Sequence, residues 1–309
     1  MLLEDAIKIH KESGNKIDML ETLWIEIKNN HLEEEYYKKK IEKMPKWDYF
    51  ISDLDGTFYR GMLLKEAFTL FIKYVKDYDI RKMDMDLYKE FLDDYINFVE
   101  IERDACNKKV DYYDYTDAGL FMIYKYQKLI DFDNFLEVLK ASFHRKDKVN
   151  PFRFSMKILK ETILKWNNFL FISWASNFVF LIYLDLLKKD ITEELWEKYA
   201  EKIYGISTYA DFEDQNVFDS WSAFWKNKLI NDLKDTWVIK KVIWWMWDTT
   251  SDFWISDNLE KCSDFYFINP AKSVVTKFDE LKKPWVNFHF ITEKKDLIFE
   301  FEIEKIKLV

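Results

Sequence analysis

The feature that most restricts the fold is a change of period along the second half of the chain. Residues 169–173 (FLFIS), 203–208 (IYGIST), 242–247 (VIWWMW) and 265–268 (FYFI) are short apolar or β-prone runs. Helical patterns separate them, over 178–188, 223–234 and near 252–261. A strand that is apolar on both faces must be covered on both. Such strands alternating with helices predict an α/β fold, a Rossmann-like parallel sheet flanked by helices. Residues 285–309 carry two further β-prone pieces around EKKD, which predict an antiparallel hairpin at a sheet edge.

The first half reads differently. Residues 1–46 read as a helical N-terminal extension: apolar residues recur at helical spacing over 17–27, the charged run 33–43 predicts a solvated face, and Pro45 is expected to end it. A β-prone run at 49–51 then stops abruptly at acids and a glycine, and 63–149 is helical throughout, with Gly119 as an interior breaker. Pro151 suits the first turn of the next helix. The expected organisation is an α/β core from 47–62 and 150–309, with an all-helical module, 63–149, inserted between its pieces. Residues 169–187 imitate a membrane span, but Ser173, Ser176, Asn177 and Asp185 interrupt them. A buried strand turning into a buried helix is expected there, and no membrane association.

Composition removes many activities. With 56 acids against 47 bases the net charge is −9, which disfavours a nucleic-acid partner. Two cysteines and four scattered histidines supply neither a thiolate cluster nor an HExxH site. The cysteine usage and the lack of a secretory pattern at the start fit the cytoplasm. No GxGxxG, Walker loop or GxSxG elbow occurs. Carboxylate chemistry remains.

Four clusters could carry it. Asp53 and Asp55, in DLDGT, are two apart where a strand ends, so they project together from the sheet edge where open α/β folds bind ligands. Paired acids repel, and such a pair implies a cation or a shared proton; an Asx turn is the plainer alternative. Asp248 ends the VIWWMW run, and Asp252 follows in the first turn of the next helix. Carboxylates converging without histidine suit a hard ion, above all Mg²⁺. Ser173 ends a strand before a helix N-terminus, a position suited to an anion. Lys226 or Lys228, near a helix start, is a candidate counter-charge.

In this order the clusters resemble the haloacid dehalogenase-like (HAD) hydrolase superfamily, in its phosphoserine-phosphatase-like branch with a helical cap between the first and second motifs. ISDLDGT matches the first motif, FISWASNFVF is similar to the second, KNKLINDL sits where the third belongs, and MWDTTSD resembles the fourth. The resemblance implies a Mg²⁺-dependent phosphatase acting on a small phosphorylated metabolite through an aspartyl-phosphate. Asp53 would be the nucleophile and Asp55 the general acid/base. Ser173 and Lys226 would hold the phosphoryl group, and Asp53, the Asp55 backbone carbonyl and Asp248 the metal, with Asp252 supporting it directly or indirectly. Residues 63–149 would be the cap, with one of Arg60, Arg81, Arg103, Arg145 and Arg153 gripping a substrate anion. The sequence departs from the pattern at Trp247, where the fourth motif has glycine, and at Trp174 inside the second. These departures leave two other outcomes open: a phosphotransferase, or a catalytically impaired HAD-fold binding protein.

Overall fold

The structure is a computed structural model of the 309-residue chain. It describes residues 43–107, 112–145, 149–208, 210–211, 216–217, 223–236, 238–247, 263–270, 272–294 and 297–301, together with residues 8 and 12. The expected N-terminal helices and the helix near 252–261 lie outside the described residues.

The described residues divide into two compact units. One holds 63–142 and the short strand pair 210–211/216–217; the other holds 43–62, 143–209 and 218–301. In the second unit, β1 (Trp47–Ser52), β2 (Asn168–Ser176), β3 (Ile203–Thr208), β6 (Ile239–Trp247), β7 (Ser263–Ile268), β8 (Val286–Lys294) and β9 (Leu297–Phe301) form one sheet, β4 and β5 being the short pair. Its order is β3-β2-β1-β6-β7-β8-β9. Every neighbouring pair is parallel except β8–β9, the antiparallel hairpin expected at the edge. The chain builds outward from β1 to β3, then returns to β1's other side with β6. That reversal is the switch point at which doubly wound sheets open a crevice.

The helices of the helical unit are α1 (Leu63–Asp77), α2 (Met85–Cys106), α3 (Tyr112–Tyr126) and α4 (Phe132–His144). The α/β unit adds α5 (Arg153–Leu164), α6 (Asn177–Glu194), α7 (Glu197–Ala200), α8 (Ala223–Asp235) and α9 (Lys272–Leu281). Alternating strand residues sort onto two apolar faces. Tyr49, Ile51, Leu170, Ile172, Ile206, Phe265 and Phe267 pack with Leu229, Ile230 and Leu233 of α8 and with Val274, Val275 and Phe278 of α9. On the other face Phe50 stacks on Phe169 at 4.9 Å, and Phe58 meets Phe171 edge-on at 4.9 Å.

The apparent membrane span is β2 running into α6, with Ser176 at the helix N-cap. No described helix is long and apolar enough to cross a membrane. Pro151 is not a first-turn residue. It pairs with Tyr59 in an isolated bridge, and α5 starts two residues later, at Arg153. The amide of Phe152 is drawn to Phe58 O at 2.8 Å, which holds the chain extended until the helix begins.

The helical unit has its own core. Phe68 packs edge-on against Phe98 and Tyr115 at 5.4 and 5.2 Å, Phe71 against Phe135 at 5.5 Å, and Phe91 against Tyr126 at 5.3 Å. Gly119 lies within α3 because Phe68 leaves no room for more: a Cβ there would sit 2.2 Å from the ring. Asp94, 1% exposed, accepts hydrogen bonds from the Tyr126 hydroxyl and, at 2.9 Å, from Lys125 Nζ.

Candidate active site

β1 ends at the switch point. Ser52 pairs with Phe171 of β2 on one side and Met246 of β6 on the other. Asp53 follows directly, 8% exposed, and its amide donates to Met246 O at 3.1 Å. The backbone there is further fixed by Ser52 Oγ, which donates to Asp53 O at 2.6 Å. The chain then folds back on itself. Phe58 N and Tyr59 N both donate to Leu54 O, at 2.9 and 2.7 Å, and Gly56 N reaches Tyr59 O at 3.0 Å. Gly56 holds φ 75°, a left-handed conformation that a residue without Cβ adopts freely. The turn brings Asp55 into a bridge with Tyr59 and buries its Oδ2.

Ser173 lies on β2 two positions past Phe171, fully buried, close beside the end of β1. Its hydroxyl accepts from Ala175 N at 3.1 Å. Across the ladder it pairs with Ser207 of β3, 1% exposed. Ser176 takes the N-cap of α6 without its hydroxyl bonding the helix, and Asn177 Oδ1 accepts from Phe178 N at 2.9 Å instead.

The structure therefore brings Asp53, Asp55 and Ser173 to one rim of the sheet. Lys226 is in the first turn of α8, one turn before Leu229 and Ile230; its side chain, and Lys228's, lie outside the described set. Asp248 and Asp252 lie outside the described residues. Trp247, the residue before Asp248, is the last of β6, one position past Met246. Among the described residues no three acids, histidines or cysteines converge on a metal position. The two present fit a hard divalent ion in kind. Both are carboxylates two positions apart, one buried and one half-buried, an arrangement that is costly unless a positive charge meets them.

Several neighbours were not expected from the sequence. Tyr183 of α6 is buried with its ring 5.1 Å from that of Tyr59 and its hydroxyl donating to Val149 O at 3.2 Å. Burial foremost, then Tyr59 and the Asp55 charge, pushes its phenol far above the ordinary range. Arg60 and Arg153 converge on the buried Glu293 of β8. Arg60's acidity is increased first by burial and then by the Arg153 charge. The sequence signalled the tyrosines only as part of a large aromatic load, and Glu293 only as one charge in a polar tail. The other arginines described with partners are exposed side chains paired with half-buried acids, Arg81 with Asp79 at 2.9 Å and Arg103 with Asp104 at 3.9 Å.

The sheet order and the helical insertion directly after β1 give this chain an α/β fold, a doubly wound, mostly parallel sheet flanked by helices, with acids at its C-terminal rim. Among solved structures it is similar to a protein of unknown function from Bordetella pertussis Tohama I, with TM-score 0.50 and 9% identity over 79% of this chain and 98% of that one. It is also similar to a probable phosphoserine phosphatase from Vibrio cholerae, with TM-score 0.44 and 12% identity over 77% of this chain and 61% of that one. Cytosolic 5'-nucleotidase IIIB bound to cytidine gives TM-score 0.41 and 12% identity over 82% and 84%. No protein-family model matches the chain, and no curated protein does.

Proposed function

We propose that this chain is a Mg²⁺-dependent phosphatase that hydrolyses a small phosphomonoester through an aspartyl-phosphate. The observation that carries the reading is the buried Asp53 just past the end of β1, its amide bonded to Met246 O of β6 and its rim of the sheet shared with Ser173 of β2, with Asp55 held in the turn that follows. In the reaction, an Asp53 carboxylate oxygen attacks phosphorus as the bond to the leaving oxygen breaks, and Asp55 supplies the proton that oxygen needs. Asp55 then takes a proton from water as the water oxygen attacks the acyl-phosphate, releasing inorganic phosphate and restoring Asp53. Ser173 donates to a phosphoryl oxygen, and Lys226 offsets the charge that develops. Asp53, the backbone carbonyl of Asp55, Asp248 and Asp252 are proposed to hold Mg²⁺, which when bound neutralises the repulsion between carboxylate and phosphate. Residues 63–149 are proposed as the cap.

The test is phosphate release from p-nitrophenyl phosphate and a panel of phosphorylated metabolites, with and without Mg²⁺. Release that requires Mg²⁺ and is lost in a folded Asp53→Asn variant is expected. Failure of the wild type to release phosphate from any substrate would overturn the reading, leaving the impaired binding protein that Trp247 favours.

A further inference from the structure

We infer that Glu293, from the C-terminal hairpin outside the HAD-like motifs, is a positioning residue that fixes the Asp55 turn by clamping both chain segments at the base of the helical insertion; the catalytic part of this inference rests on the function proposed above. The side chain of Glu293 is fully buried. A carboxylate so placed needs several donors, and it has them. Oε1 accepts from Arg153 N at 3.0 Å and from Arg60 Nη2, and Oε2 accepts from Phe154 N at 3.0 Å. It thereby supplies the first turn of α5 with the acceptor that its N-cap residue, Phe152, cannot provide.

The outgoing segment is tied to the returning one by the same group. Arg60 Nε donates to Pro151 O at 3.1 Å, Arg60 N to Asn150 O at 3.2 Å, and Phe152 N to Phe58 O at 2.8 Å. Ser155 Oγ adds a bond to Thr57 O at 2.7 Å. The returning segment is held in an unfavourable path: Val149 and Asn150 take φ of 71° and 42°, left-handed values that residues with a Cβ adopt at a cost. Tyr59, beside Arg60, closes the Asp55 turn through its bridge to Asp55 and the Gly56 N–Tyr59 O bond. Glu293 is itself fixed from behind. Its amide donates to Asn269 Oδ1 at 2.9 Å, and Asn269, at φ 45°, donates its own amide to Ile291 O at 2.7 Å. Hydrogen bonds thus link the end of β7 through Glu293 to Arg60, whose chain neighbour Tyr59 closes the turn that carries Asp55.

The experiment compares the wild-type full chain with Glu293→Gln and, as the charge-conserving variant, Glu293→Asp, in two measurements. Amide hydrogen exchange reads the clamp directly. Faster exchange at Arg153 and Phe154, carried on to Gly56 and Tyr59, is expected in Glu293→Gln, with a smaller effect in Glu293→Asp. Steady-state hydrolysis of p-nitrophenyl phosphate with Mg²⁺, well below each variant's melting temperature, reads the consequence: kcat reduced at least tenfold with KM within about twofold, because proton transfer is mis-aimed while phosphate contacts persist. Partial recovery of kcat in Glu293→Asp is expected. Unchanged exchange at Gly56 and Tyr59, or wild-type kcat in a folded variant whose clamp amides are exposed, overturns the inference. Should Glu293→Gln fail to fold, Glu293→Asp alone decides by the same two criteria. Should the wild type release no phosphate, the function proposed above has failed, and exchange at Gly56 and Tyr59 still decides whether the clamp fixes the turn.

Discussion

Asp53 sets the terms for everything around it. It stands two positions from Asp55 on a rim where both side chains are at least partly removed from water, so each negative charge raises the cost of the other. Asp53→Asn removes one charge and keeps the shape. Without Mg²⁺ this variant is therefore expected to melt above the wild type, by about 2 °C for ~1 kcal/mol of relieved repulsion. With Mg²⁺ the order reverses. At a hundredfold excess over its dissociation constant, Mg²⁺ stabilises the wild type by about 2.7 kcal/mol, and Asp53→Asn gains much less. Calorimetry with and without Mg²⁺ checks both halves, and a wild-type melting temperature indifferent to Mg²⁺ would sink the metal assignment. Ser173 makes a smaller claim. Its hydroxyl satisfies the Ala175 amide, so Ser173→Ala costs about 1 kcal/mol in stability. The proposed phosphate contact predicts in addition a raised KM for p-nitrophenyl phosphate; an unaltered KM in the folded variant would remove Ser173 from the site.

Elements decide how far such residues can be read from sequence. β3 is bounded at residues 203 and 208 just as the pattern predicts, and β2, β6 and β7 each contain their apolar run but extend past it, to 168–176, 239–247 and 263–268, because the ladder continues through the polar residues that flank a buried stretch. Ser173 was legible as the polar residue that ends the apolar run, although β2 continues past it to Ser176 through an irregularity in its pairing with β3. Glu293 was not. It belongs to a stretch rich in charge, and only the distant segment at 151–154 reveals why one of those charges is buried. Pro151 misled in a related way, since its fixed φ suits a helix start, yet the bond from Phe152 N to Phe58 O delays the helix. Gly119 shows the converse, a helix breaker kept inside a helix by packing. Substituting alanine would gain about 1 kcal/mol in helix propensity. The new Cβ, 2.2 Å from the Phe68 ring, would instead displace a side chain locked against Phe98 and Tyr115. Overpacking of this kind costs about 1–3 kcal/mol, so a net loss is expected in urea denaturation. An unchanged or higher midpoint for Gly119→Ala would show that the ring can move aside.

The chain carries 18 tyrosines, and several buried ones bind the fold's stability to alkaline pH. Burial pushes Tyr124 up to about 12 from an ordinary 10.0. Burial first, and then its bond to the Asp94 carboxylate, drives Tyr126 higher still. Tyr49 and Tyr183 are raised beyond Tyr124 as well, again chiefly by burial. Tyr124 and Tyr126 belong to the helical unit and Tyr49 and Tyr183 to the α/β unit, so the effect bears on both cores. The sign follows from linkage. A group whose folded pKa exceeds its unfolded value binds its proton more tightly in the folded state. The stability it contributes is complete below pH 10 and falls as pH rises through about 12, where the unfolded chain has already released the proton. These buried tyrosines should ionise together with loss of near-ultraviolet circular dichroism, in one cooperative step well above pH 10. The measurement is phenolate absorbance recorded alongside circular dichroism during alkaline titration. A single smooth ionisation of all tyrosines centred near pH 10.0, with the dichroism unchanged, would mean that these phenols are open to solvent and that neither aromatic core is packed as described.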